Sequence, residues 1–197
     1  MAAEYKSIEL FGGAITVALP DTFADVSEIR QVPDHQEVWL ERDGFTSVVF
    51  EVLERVEKDD DVDALTYHLA DLVEEEEDGG DVRVWEEGRR VEFGKLPPGT
   101  PAYTLFATSP PGVKQRGRAN EPDFVAILLT MIRLVEQKTD LLIAVNVPHV
   151  AGSYVKDDVD LAEGRFEGPL MEMARALRGR LVETFEVRDW GLFVQEE

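Results

Sequence analysis

Phe124-Val125-Ala126-Ile127-Leu128-Leu129-Thr130-Met131-Ile132-Arg133-Leu134-Val135, then Glu136-Gln137-Lys138, then Thr139-Asp140-Leu141-Leu142-Ile143-Ala144-Val145-Asn146-Val147 is the stretch that decides the fold. Both arms are close to continuously apolar, and a polar three-residue connection joins them. Periodicity alone leaves the first arm open between strand and helix. The short connection and the following Leu-Leu-Ile-Ala-Val favour a hairpin of two strands buried on both faces. Arg133, Glu136, Lys138 and Asp140 interrupt the run, so it does not read as a membrane span.

A sheet apolar on both faces needs cover on both. Two helices are expected to supply it. Residues 59–76 place Val62, Leu65, Leu69, Leu72 and Val73 on one helical face, with Asp61 or Asp63 as the cap. The acidic run 74–78 lies at the end where the helix dipole disfavours acids, and is expected to fray toward Gly79-Gly80. A second helix starts near Gly168-Pro169, with Leu170, Met173, Ala174, Leu177 and Leu181 on one face. Trp190, Leu192 and Phe193 then read as a tail packed on the domain.

Further strands are expected ahead of Pro20, from Gln36 to Arg42, and from Ser47 to about Val56, with Asp43-Gly44 as a hairpin turn. Gly12-Gly13 reads as a turn or bulge. Residues 21–35, polar and Pro-punctuated, read as loop with room for one helical turn. Residues 81–93 read as one strand or a short hairpin turning near Glu87-Gly88, and 102–108 as a strand. The predicted architecture is an α/β/α sandwich with a mostly antiparallel central sheet flanked by helices. It forms a single domain over 1–197, with a flexible terminus at 1–7 and a polar loop at 109–122. That loop carries Lys114, Arg116 and Arg118, the one local basic cluster, and a hydrated loop needs no function.

The formal charge of −21 and pI of about 4.4 make phosphate backbones and anionic membrane surfaces poor partners and steer basic proteins toward the chain. There is no cysteine, so thiolate catalysis and Cys-ligated metals are excluded. The three histidines, His35, His68 and His149, are widely separated. No P-loop follows Gly12-Gly13, no Gly-x-Ser-x-Gly elbow is present, and the acidic runs lack the alternation of a calcium loop. No catalytic residue, metal or cofactor is expected. The amino terminus has no basic segment leading into an apolar one, so the expected address is nucleus and cytoplasm.

Two segments carry a resemblance. The first is Leu10-Phe11-Gly12-Gly13-Ala14, followed by Asp25-Val26-Ser27 and then Val32-Pro33-Asp34-His35-Gln36-Glu37-Val38. The second is Lys138-Thr139-Asp140-Leu141-Leu142, leading to Asn146-Val147-Pro148. Together they resemble the Ran guanine-nucleotide release factors, the Mog family, over roughly residues 9–148; residues 54–122 follow in element order more than in identity. The resemblance implies an α/β/α sandwich shared with the PsbP subunits of photosystem II, binding to the small GTPase Ran, promotion of nucleotide release, and a part in nuclear protein import. It places the Ran-contacting acids on Asp34 and Glu37, with Asp25 and Arg30 as weaker candidates. Pro33 stiffens the approach to Asp34, and two carboxylates in a turn suit a Lys or Arg on a partner. The plainer alternative is that Asp34 caps a local turn and Glu37 is solvated. A monomer is expected. A PsbP-like binding module without exchange activity is the alternative function.

Overall fold

The computed structural model describes residues 3–27, 29, 31–74, 81–112 and 115–193, the side chain of Glu74 excepted. In chain order the elements are β1 (Tyr5–Leu10), a 3-10 turn (Phe11–Gly13), β2 (Ile15–Pro20), β3 (Phe23–Asp25), β4 (Gln36–Glu41), β5 (Ser47–Glu54) and α1 (Asp61–Glu74). There follow β6 (Arg83–Arg90), β7 (Ala102–Ser109), β8 (Pro122–Leu134), β9 (Thr139–Val150), β10 (Val159–Asp160), β11 (Arg165–Phe166), α2 (Pro169–Thr184) and β12 (Glu186–Val187).

Seven strands form one sheet in the order β3-β4-β5-β9-β8-β7-β6, and each neighbouring pair is antiparallel. The apolar stretch is the hairpin β8–β9 at its middle, closed by a turn in which the Lys138 N–H donates to the Val135 carbonyl. Both arms are buried on both faces because alternate residues feed two separate cores. Ala126, Leu128 and Ile132 of β8 join Ile143 and Val145 of β9 in a core with α2 and with β1 and β2. Ile127, Leu129 and Met131 join Leu142 and Ala144 in a second core with Ala64, Leu65 and Leu69 of α1. Each of the buried Leu, Ile, Val and Met side chains contributes about 1.5–3 kcal/mol by leaving water.

The first core is closed by a second antiparallel sheet, β1-β2-β12. It includes residues assigned above to a flexible terminus: Tyr5, Lys6 and Ser7 pair with Pro20, Leu19 and Ala18. Ile8 and Leu10 anchor β1, because both turn into the core. Of the two readings of 81–93 the single strand holds and the hairpin near Glu87-Gly88 does not, since β6 continues through both residues. Gly88 serves contact, not turning: a Cβ there would come within 2.9 Å of Val62 on α1. The cap of α1 is Asp60, whose Oδ1 accepts the N–H groups of Val62 and Asp63 at 2.8 and 3.0 Å. Asp61 is drawn elsewhere, to Arg133 at 2.9 Å. The fraying expected beyond 74 and the position of Lys114 and Arg30 lie outside the described residues.

The charges inside the hairpin are its lock. Arg133 and Asp140 are opposite one another on β8 and β9, with both side chains fully buried. Arg133 Nε donates to Asp140 Oδ1 at 3.2 Å, and its other nitrogens reach the carbonyls of Val56 and Lys58. Asp140 Oδ2 accepts the Val56 N–H at 3.1 Å and meets His68 Nε2 of α1 at 2.9 Å. The network therefore ties the β5–α1 connection and α1 to the central hairpin. Removing one partner strands a buried charge, so Asp140→Ala should lose about 3–5 kcal/mol of stability. A urea titration checks this, as a fall in midpoint with the slope retained.

Candidate functional site

Asp34 stands at the corner of a tight turn. The Pro33 carbonyl accepts the Gln36 N–H at 2.9 Å, and the His35 carbonyl accepts the Val52 N–H at 2.9 Å, so the turn is pinned at its base and to β5. Gln36 Nε2 donates to Glu51 Oε1 at 2.7 Å, and His35 Nε2 lies 3.3 Å from the same oxygen. Asp34 itself is exposed and makes no hydrogen bond or ion pair among the described residues. It does not cap the turn it sits in.

Glu37, three residues on, is in a different situation. It is half-buried in β4, and its Oε1 accepts the backbone N–H of Phe11 at 2.5 Å. Burial pushes its carboxyl above the usual range, and the nearby Asp25 carboxylate adds to the rise. The Phe11 N–H and the Trp39 indole N–H act the other way. Trp39 is 8% exposed, and its indole nitrogen faces this carboxylate without closing a hydrogen bond of standard geometry. Asp25 lies opposite Trp39 in the β3–β4 register, and Glu37 is two residues before Trp39, so the three side chains share one face of the ribbon.

The structure thus brings Asp25, Asp34 and Glu37 to one corner, but gives them different duties. Asp25 Oδ1 accepts the Ser27 N–H at 2.8 Å, which is local turn bonding. Arg30 lies outside the described residues. Two features were missed from the sequence. Ile29, in the loop between β3 and β4, is an exposed large apolar residue at 82%. Phe11 takes part in the site through its backbone, with φ of 51° in the left-handed region. The Gly-Gly after Phe11 signalled a turn, but nothing in the letters ties that turn to Glu37.

Elsewhere the histidines have structural surroundings. His68 is held by Asp140, and His149 stacks on Phe124 at 4.2 Å between ring centres. Among the described residues no group of three His, Asp or Glu side chains is placed to hold a metal ion. No described helix is long and apolar enough to cross a membrane.

A mostly antiparallel sheet with two helices, showing a stiff carboxylate-bearing turn at the sheet's β3–β4 corner, defines a class of α/β domain with an exposed acidic corner. The chain belongs to the Ran-interacting Mog1 protein family, whose model matches residues 8–148. It is 27% identical over 199 residues to the probable Ran guanine nucleotide release factor of Dictyostelium discoideum, covering 98% of this chain and 99% of that one. It is 30% identical over 199 residues to the nuclear import protein MOG1 of Saccharomyces cerevisiae, covering 95% of this chain and 84% of the other. The crystal structure of that yeast Ran-binding protein matches with a TM-score of 0.73 at 27% identity, over 98% of this chain and 100% of that chain. Cyanobacterial PsbP from Synechocystis shares the fold, with a TM-score of 0.54 at 11% identity over 95% and 94% of the two chains.

Because the folded Glu37 carboxyl is raised, ionising it works against folding; its favourable contribution is present at low pH and is lost as pH rises through the folded value. Glu37→Gln keeps an oxygen for Phe11 and removes the charge. Its thermal midpoint relative to wild type should therefore climb as pH goes from about 4 to about 7 and level off above. Melts at a series of pH values check this; a difference that falls with pH contradicts it.

Proposed function

We propose that this chain binds the small GTPase Ran and promotes release of its guanine nucleotide, in support of nuclear protein import, in nucleus and cytoplasm. It acts as a monomeric α/β/α sandwich, with α1 and α2 on the two faces of the large sheet, and without catalytic residues or a cofactor of its own. Membership of the family and the names of the relatives support the partner. The observation that carries the site is Asp34: an exposed carboxylate, free of internal partners among the described residues, on a turn fixed by Pro33 and β5. A stiff acid of this kind meets a basic group with little ordering cost. The charge of −21 favours encounter with a basic surface and disfavours nucleic acid and anionic membranes. Ile29, in the same β3–β4 connection, offers an exposed apolar anchor.

Release needs no bond-making by the factor. It needs tighter binding to empty Ran than to filled Ran, and the coupling is reciprocal. Turning a 99:1 filled population to 1:99 takes a differential of about 5.5 kcal/mol. Close charge pairs across an interface supply about 1.5–7 kcal/mol of coupling, so the acidic corner can carry a large share. Asp25 is a lesser contact, since one of its oxygens is engaged by Ser27. Arg30 remains a second lesser candidate.

Release of a fluorescent nucleotide from Ran tests this. Asp34→Lys, at an exposed position, should fold as wild type and slow stimulated release at least about tenfold, the effect of losing about 1.4 kcal/mol. Unchanged release by the folded variant rejects the site.

A further inference from the structure

We infer that Glu37 is a positioning residue, and that the surface meeting the partner extends from Asp34 onto the turn Phe11-Gly12-Gly13, which Glu37 holds in place. This rests on the Ran-binding reading above and assigns the turn as a further part of that interface.

The turn joins β1 to β2 in the small sheet, whereas Glu37 belongs to β4 of the large one. The bond from Phe11 N–H to Glu37 crosses 26 positions of sequence and links the two sheets at the corner that carries Asp34. Three consecutive residues have positive φ there: Phe11 at 51°, Gly12 at 67° and Gly13 at 91°. A non-glycine residue with a bulky side chain holds such a backbone only where its surroundings impose it. Beyond the turn's own bond from the Ala14 N–H to the Phe11 carbonyl, the Glu37 carboxylate bonds that backbone from the neighbouring sheet. Glycine at 12 answers to conformation and not to internal crowding, since a Cβ there would meet nothing within 4 Å. The outer side of the turn is therefore open for a partner to cover.

Glu37 is poorly placed for long reach. It is half-buried, one oxygen is occupied, and the buried Trp39 N–H faces the same carboxylate. Asp34, exposed and unengaged among the described residues, is the charge that a partner can reach. Two parts of the first segment that carries the family resemblance thus converge through a single side chain: Leu10–Ala14 supplies the turn, and Val32–Val38 supplies the group that fixes it.

The experiment measures binding to nucleotide-free Ran for wild type, Glu37→Ala, Glu37→Gln, Gly12→Asn and Gly99→Asn, with amide exchange at Phe11. Asn tolerates the left-handed region, so Gly12→Asn adds a side chain outward with little strain. Gly99 is its control: φ is 81°, nothing lies within 4 Å of a Cβ, and it sits between β6 and β7, at the far edge of the large sheet. A positioning role predicts that Glu37→Ala weakens binding at least about tenfold and speeds Phe11 exchange, while Glu37→Gln stays within about threefold with exchange slow. Gly12→Asn should also lose about tenfold or more, and Gly99→Asn nothing. Glu37→Gln as weak as Glu37→Ala would show that the charge itself is the contact and overturn the inference. Wild-type binding by Gly12→Asn would remove the turn from the interface. If the wild type binds no Ran in any nucleotide state, the functional reading falls with the interface. Phe11 exchange in the two Glu37 variants then still decides the positioning role.

Discussion

The constraint beneath the whole structure is that β8 and β9 expose apolar side chains to both sides of the sheet. A hairpin of this kind cannot stay half in water, because each uncovered face would leave four or more large side chains hydrated at about 1.5–3 kcal/mol each. The chain meets the demand twice. It lays α1 over Ile127, Leu129, Met131, Leu142 and Ala144, and sets α2 with β1 and β2 over the alternate residues. The remaining strands of the large sheet follow from that centre, β5 pairing with β9 and β7 with β8. The acidic corner at β3–β4 lies two strands out from the hairpin, where the cover thins and side chains become half-buried.

Placing the small sheet has a consequence for chemistry. The same β1–β2 unit that closes the first core brings its connecting turn onto β4. A carboxylate that would be solvated on a free strand is then desolvated and engaged, while its neighbour Asp34 stays in water. Two acids three residues apart in one motif so acquire unlike roles, and the difference arises from packing. The Arg133–Asp140 network works in the same manner. It converts two residues that interrupt an apolar run into the brace between the hairpin, α1 and the strand-to-helix connection.

Much of the architecture was legible because its signals are local and strong. The long apolar arms, the Asp43-Gly44 turn and the Gly168-Pro169 helix start were all read to within a few residues. The failures have physical reasons. β1 and β3 are short strands whose pairing partners, not their own residues, make them strands. Gly88 left a hairpin open beside the single strand because glycine also permits turns, yet the strand runs on and the glycine admits a helix side chain. Asp60 outcompeted its two acidic neighbours as a cap because Asp61 was claimed by Arg133. At the site, the turn around Asp34 could be read from Pro33, whereas the engagement of Glu37 could not.

By itself the sequence determined the two-faced hairpin, the helices that must cover it, the acidic surface and the stiff turn at Asp34. Each of these follows from residue type and near-neighbour spacing, which operate along the chain. The tertiary structure alone decided which carboxylates stay in water and which are bound. That outcome depends on the approach of Phe11 to Glu37, and of Arg133 and His68 to Asp140. Most of these contacts join residues far apart in the chain, and they arise only when sheets and helices pack.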